Sequence, residues 1–130
     1  MNKLKVLLVD DHESFRRVLV SFLRSLQGIE IVGEAVDGNE AVDKTGQLQP
    51  DIVLMDVHMP HKNGIEATRA IKMLSPSTIV IIMSTDPSES YQRSACMVAD
   101  GYIPKTSIKK DLFLTLEGVS KGWYNNVAVA

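Results

Sequence analysis

A doubly wound α/β domain, with five parallel strands in one sheet and five flanking helices, is the fold class the sequence predicts. Three observations predict it. Short apolar runs rich in Val and Ile stand at 5–9 (KVLLV), 52–55 (IVLM) and 79–83 (IVIIM), the pattern of strands buried on both faces, as in a parallel sheet. Segments with helical spacing of apolar residues lie between them. The length of 130 residues suits one domain with one core. Because crossovers are right-handed and every helix must cover the sheet, this alternation leaves few other arrangements.

The elements follow in chain order. After the strand at 5–9, Phe15, Val18, Leu19, Phe22, Leu23 and Leu26 form an apolar helical stripe that stops at Gly28. The second strand, 29–36, has more polar interruption, and the helix after it, about 39–48, contains Gly46, which weakens it. The third strand, 52–55, leads to a helix at 65–74 that Ser75-Pro76 ends. The fourth strand, 79–83, precedes a helix at about 88–98 with a scattered apolar pattern; the second and fourth helices are the expected mobile elements. A short fifth strand, 102–103, stands before Pro104. Ile108, Leu112, Leu116 and Val119 give the stripe of the fifth helix, with Ser107 as its cap. The second and fifth strands are expected nearer the sheet edges.

Composition narrows the function classes. Hydrophobic residues make up 45% and charged residues 23%, which fits a packed globular chain rather than a collagenous, disordered or disulfide-stapled one. Fourteen Lys and Arg against sixteen Asp and Glu give a formal charge of -2, without the basic excess of a nucleic-acid-binding domain. Cys96 is the only cysteine, so an internal disulfide and a thiolate zinc cluster are excluded, and a reducing compartment, the cytoplasm, is expected. No apolar run reaches the length of a membrane span, so no membrane partner is expected.

In a doubly wound sheet the working crevice lies beyond the carboxyl ends of the strands. The first strand ends in Asp10-Asp11, the third in Asp56 and the fourth in Ser84-Thr85, while Lys105 follows the fifth. Three carboxylates in one place repel one another unless a cation shares them, and oxygen ligands favour a hard divalent ion, Mg2+ being the natural candidate. Magnesium keeps waters and takes phosphate oxygens, which points to phosphoryl chemistry. Each residue alone has a plainer reading. Asp11 could cap the first helix, Ser84 could be a strand-terminal hydroxyl, and Lys105 a solvated loop lysine. Asp56 is harder to explain that way, because a carboxylate on an apolar run is costly to bury. His12 and His61 read as surface residues, Met55, Met59 and Met83 as packing, and Trp123-Tyr124 as an anchor for the tail.

The blocks VLLVDDHESFRRVL, GEAVDGNEAV, PDIVLMDVHMPHKNGIEAT and DGYIPK resemble the receiver domain of two-component response regulators over essentially the whole chain. The first two are most like the LuxR/NarL-type branch, whose receivers precede a helix-turn-helix output domain. The resemblance implies a flavodoxin-like receiver fold over 1–119, with 120–130 as a tail or the start of a linker. It implies that Asp56 accepts a phosphoryl group from a sensor histidine kinase or phosphotransfer protein. Asp10, Asp11, the Asp56 side chain and the His58 backbone carbonyl would hold Mg2+, with the His58 side chain exposed nearby. Lys105 and Ser84 would meet the phosphoryl oxygens, and Tyr102 would change rotamer. The chain would be a switch, limited to self-phosphorylation and self-dephosphorylation, with homodimerisation on phosphorylation and DNA reached only through an output domain absent from this chain.

Three features depart from the family pattern. The stretch from Ser84 to Lys105 is one residue shorter than usual, Val98 stands where a helix-closing Gly is common, and Pro104 precedes rather than follows the lysine. A short or displaced fourth helix is the expected result. Other functions fit less well. A haloacid dehalogenase-type phosphatase wants a second Asp where the chain has His58. A flavin module wants a phosphate loop where Asp10-Asp11 would repel the phosphate. A nucleoside triphosphatase wants a P-loop. A stand-alone receiver acting through a protein partner, and a pseudo-receiver, which binds partners without phosphorylation, stay open.

Overall fold

The computed structural model of the chain describes residues 3–59, 61–85 and 89–122. Five strands, β1 (Leu4–Val9), β2 (Ile29–Ala35), β3 (Ile52–Asp56), β4 (Ile79–Ser84) and β5 (Gly101–Pro104), alternate with α1 (Glu13–Arg24), α2 (Gly38–Leu48), α3 (Gly64–Leu74), α4 (Glu89–Val98) and α5 (Ile108–Ser120). A 3-10 turn at Lys105–Ser107 joins β5 to α5. All strands pair in parallel in the order β2-β1-β3-β4-β5. The expected doubly wound sheet is present, with β2 and β5 at its edges.

Strand alternation divides the core in two. Val6, Leu8, Ile52, Leu54, Ile81 and Met83 face α1 and α5, where they meet Leu19, Leu23, Leu112 and Leu116. Leu7, Val9, Val53, Met55, Val80 and Ile82 face the other helices, where they meet Ala41, Ala67, Ile71 and Ala95. Each of these sheet residues is fully buried, and full burial of an aliphatic side chain contributes about 1.5–3 kcal/mol. The continuous apolar strands thus have cover on both faces.

Helix starts have local causes. The Asp37 carboxylate accepts the Glu40 N–H at 2.8 Å to open α2, and the Asn63 side chain accepts the Glu66 N–H at 2.9 Å to open α3. Two caps differ from expectation. His12, rather than Asp11, occupies the N-cap of α1, without a side-chain cap bond. Ser107 occupies the N-cap of α5, but its hydroxyl donates to Asp111 Oδ2 instead of capping the backbone. In α1, Val18 is 47% exposed, because it falls off the buried Leu19–Leu23 edge of the stripe.

The fourth helix runs ten residues, one fewer than α2 or α3. It closes through Ala99 N–H on Ala95 O, with no left-handed residue at Val98. Pro104 ends an edge strand opposite Ser84, where a missing N–H is tolerated. Ser88, Pro60 and the Trp123-Tyr124 pair lie outside the described residues.

Candidate functional site

Sheet register brings the carboxyl ends of four strands together. Val9 pairs with Met55, so Asp10 emerges beside Asp56; Asp56 in turn pairs with Met83, and Ser84 with Pro104, after which Lys105 begins the 3-10 turn. The order β2-β1-β3 reverses direction at the β1/β3 boundary, and the crevice of a doubly wound sheet opens at such a point. Asp10, Asp11, Asp56, Ser84 and Lys105 all meet there or on its rim.

Asp10 is fully buried and holds several contacts. Its Oδ2 accepts from Lys105 Nζ at 2.7 Å, and its Oδ1 accepts the His12 N–H at 2.8 Å. Arg16 Nη1 donates to the Asp10 carbonyl at 2.7 Å while Arg16 Nε donates to Glu34 at 3.0 Å. Lys105 Nζ also lies 3.3 Å from Asp56 Oδ1 and 4.3 Å from the centre of the Phe15 ring. The ammonium is thus held between two carboxylates and an aromatic face.

Asp56 is 3% exposed, and its Oδ2 is buried without a hydrogen-bond partner. Burial first, and the Asp10 carboxylate second, push its carboxyl above the ordinary 3.8, with a smaller push from Asp11; Lys105 pulls the other way. Ligand atoms of Asp10, Asp11, His12 and Asp56 lie within 4.8 Å of one another. With all three carboxylates ionised, they exceed the Lys105 ammonium by two negative charges. A divalent cation matches both that charge and the open Asp56 oxygen, so these residues fit Mg2+.

The remaining expected residues frame this cluster. Ser84 is buried at the end of β4. Tyr102 is half-buried on β5, packed, like Val98, against the cluster that includes Ala95. His58 follows β3 with its side chain exposed, and Val57 accepts the Gly64 N–H at 2.9 Å as the chain turns back into α3. A side chain at Gly64 would place its Cβ 2.1 Å from the Asp56 carbonyl oxygen, so only glycine permits α3 to start against the carboxyl end of β3.

Residue spacing did not point to Phe15, Arg16 or the His12 ring as members of the site. Phe15 and Arg16 lie in the first turns of α1 and read as helix-face residues until the fold places Lys105 over the Phe15 ring and the Asp10 carbonyl against Arg16. The His12 side chain is 65% exposed, as a surface residue should be, yet its Nδ1 comes within 3.2 Å of Asp10 Oδ1 and 3.1 Å of Asp11 Oδ1.

Comparison with known proteins is consistent with this geometry. The family described as the response regulator receiver domain matches residues 6–117. The chain belongs to that family. It is therefore the receiver domain of a two-component response regulator, a signalling switch rather than a turnover enzyme. The response regulator protein VraR of Staphylococcus aureus is 39% identical over 121 residues, 92% of this chain and 57% of that protein. The receiver thus spans a little over half the length of the curated relatives it matches. Among solved structures, the response regulator domain of Thermotoga maritima CheB is 33% identical with a TM-score of 0.82, over 89% of this chain and 95% of that one. A LuxR-family two-component response regulator from an Aurantimonas species is 30% identical with a TM-score of 0.87, over 93% and 87% of the two chains. No helix among the described residues is long and apolar enough to cross a membrane.

Proposed function

We propose that this receiver takes a phosphoryl group on Asp56 in a Mg2+-dependent reaction and thereby regulates a DNA-binding output domain of its parent protein. The observation that carries the reading is the buried Asp56 oxygen without a partner, set among carboxylates with two charges left uncompensated. The Asp10, Asp11 and Asp56 side chains, with the His58 carbonyl, would hold Mg2+, which when bound supplies positive charge shared by acceptor and phosphoryl oxygens.

The chain's own residues then act by position and charge. An Asp56 oxygen attacks the phosphorus of the kinase's phosphohistidine; the P–N bond breaks, and its electron pair stays on the leaving imidazole. Lys105, held 3.3 Å from Asp56 and 2.7 Å from Asp10, has its charge beside the transferred group. Ser84 donates its hydroxyl to a phosphoryl oxygen, and Tyr102 changes rotamer as the α4–β5 side rearranges. The added charge favours an active state by its better contacts there, a population shift. Residues 1–119 serve as the receiver and 120–130 as a tail or the start of a linker. The cytoplasm, a sensor histidine kinase or phosphotransfer donor and phosphorylation-linked homodimerisation complete the reading.

Intact-protein mass after incubation with acetyl phosphate tests it. One phosphoryl adduct is expected with Mg2+, none with EDTA and none in Asp56→Asn. No adduct in the wild type, together with no thermal shift in beryllofluoride and Mg2+, would replace this reading with a pseudo-receiver that binds partners constitutively.

A further inference from the structure

The geometry points to His12 as a metal ligand: we infer that the pocket accepts borderline first-row divalent ions, such as Ni2+, through the His12 imidazole nitrogen, in addition to Mg2+ through oxygens. The inference rests on the reading of this pocket as a divalent cation site and extends its donor set.

Three observations carry it. His12 Nδ1 lies 3.2 Å from Asp10 Oδ1 and 3.1 Å from Asp11 Oδ1. Neighbouring donors around an octahedral ion at a radius of about 2.1 Å stand roughly 3 Å apart, so the imidazole nitrogen occupies the place of one more ligand beside two carboxylates. Second, Asp56, whose Oδ2 is buried without a hydrogen-bond partner, belongs to the same group, in which one ligand atom from each residue lies within 4.8 Å of the others. A residue of the same cluster therefore has an open acceptor. Third, the residue is anchored through its backbone, and its ring is not used elsewhere in the helix. The His12 N–H is bound to Asp10 Oδ1 at 2.8 Å, which anchors the residue over the pocket, and its side chain makes no cap bond to α1.

The chemistry sets the class of ion. Imidazole suits the later first-row metals and adds little for Mg2+, which prefers oxygen. With two uncompensated carboxylate charges available, an oxygen-only set serves Mg2+, and the same set plus one nitrogen serves Ni2+ or Co2+. The same distances also suit a hydrogen bond from Nδ1–H to the carboxylates. That role makes His12 a positioning residue, and a side-chain amide could replace it.

Isothermal titration of the tag-free 130-residue chain with Ni2+ and with Mg2+ separates these cases. His12→Ala and His12→Gln are each expected to weaken Ni2+ binding by about tenfold or more, while Mg2+ affinity changes by less than about twofold. Asp56→Asn is expected to weaken both metals, as one shared site requires. Three results would overturn the inference: Ni2+ affinity unchanged in His12→Ala, Ni2+ affinity restored in His12→Gln, or equal losses for the two metals. Wild-type protein that binds Ni2+ through His12 but does not bind Mg2+ would leave the His12 assignment standing and overturn the proposed Mg2+-dependent function instead.

Discussion

At the scale of single residues, the site is a balance of buried charges, and pH exposes it. Folding raises the Asp56 carboxyl above 3.8, through burial first and Asp10 second. The folded chain therefore holds that proton to higher pH than the unfolded chain does. Its contribution to stability is complete below pH 3.8 and is lost as pH rises through the raised value. Asp56→Asn carries no such loss. Urea unfolding without divalent ions should find Asp56→Asn more stable than wild type at about pH 7, with the advantage disappearing towards pH 3.8. A constant difference across that range would contradict the assignment. Added Mg2+ should raise the wild-type melting temperature and leave that of Asp56→Asn nearly unchanged.

Lys105 is the counterpart of that balance. Its side chain is 9% exposed and its ammonium meets a fully buried Asp10. Lys105→Met leaves that carboxylate without its cation and is expected to cost about 3–5 kcal/mol, part of it recovered in Mg2+. Chemical denaturation with and without the metal checks both statements. The strand-end carboxylates and the lysine were legible in the sequence because each directly follows an apolar run. The contact of Lys105 with Phe15 was not, since it depends on how α1 lies beneath the turn after β5.

At the scale of elements, two glycines make opposite predictions. Gly64 opens α3 where a Cβ would stand 2.1 Å from the Asp56 carbonyl oxygen, an atom of the backbone that cannot rotate away. Gly64→Ala should cost about 1–3 kcal/mol or more through overpacking, and should lower phosphorylation because β3 must shift with it. Gly46 lies at an exposed position of α2, and a Cβ there would meet only Leu74 Cδ2 at an ordinary 3.6 Å. Gly46→Ala should stabilise the domain by about 0.5–1 kcal/mol and leave phosphorylation unchanged. Thermal melts of the two variants, read beside their phosphoryl adducts, test the pair. The same glycine that weakened the sequence-based expectation for α2 is thus tolerated because Ala41 and Thr45 are buried beneath the helix and Asp37 caps it. Local propensity carried less weight here than packing. Val18 shows the reverse limit: helical spacing alone could not tell the middle of the α1 stripe from its edge.

At the scale of the whole molecule, sheet order explains why residues as distant as Asp10 and Lys105 meet. The apolar runs of β1, β3 and β4 announced a parallel sheet, and right-handed crossovers left one economical winding. What they could not announce was the register, and it is register that sets Asp10 beside Asp56 and Ser84 opposite Pro104. Val98, in place of a helix-closing glycine, points to a short or displaced fourth helix. The helix nevertheless reaches Val98, because its closing bond from Ala99 to Ala95 does not need a left-handed residue. The strands that carry Asp56, Ser84 and Tyr102 therefore lie side by side as β3, β4 and β5 of one sheet.

The central claim is that Asp56 receives the phosphoryl group, and locating that group tests it most directly. Borohydride reduction after acetyl phosphate and Mg2+ treatment turns an acyl phosphate into an alcohol, and tryptic cleavage after Lys44 and Lys62 yields one peptide holding both Asp51 and Asp56. Fragmentation of that peptide is expected to place the reduced residue at Asp56 alone. Reduction at the exposed Asp51, elsewhere in the chain, or nowhere at all would contradict the account.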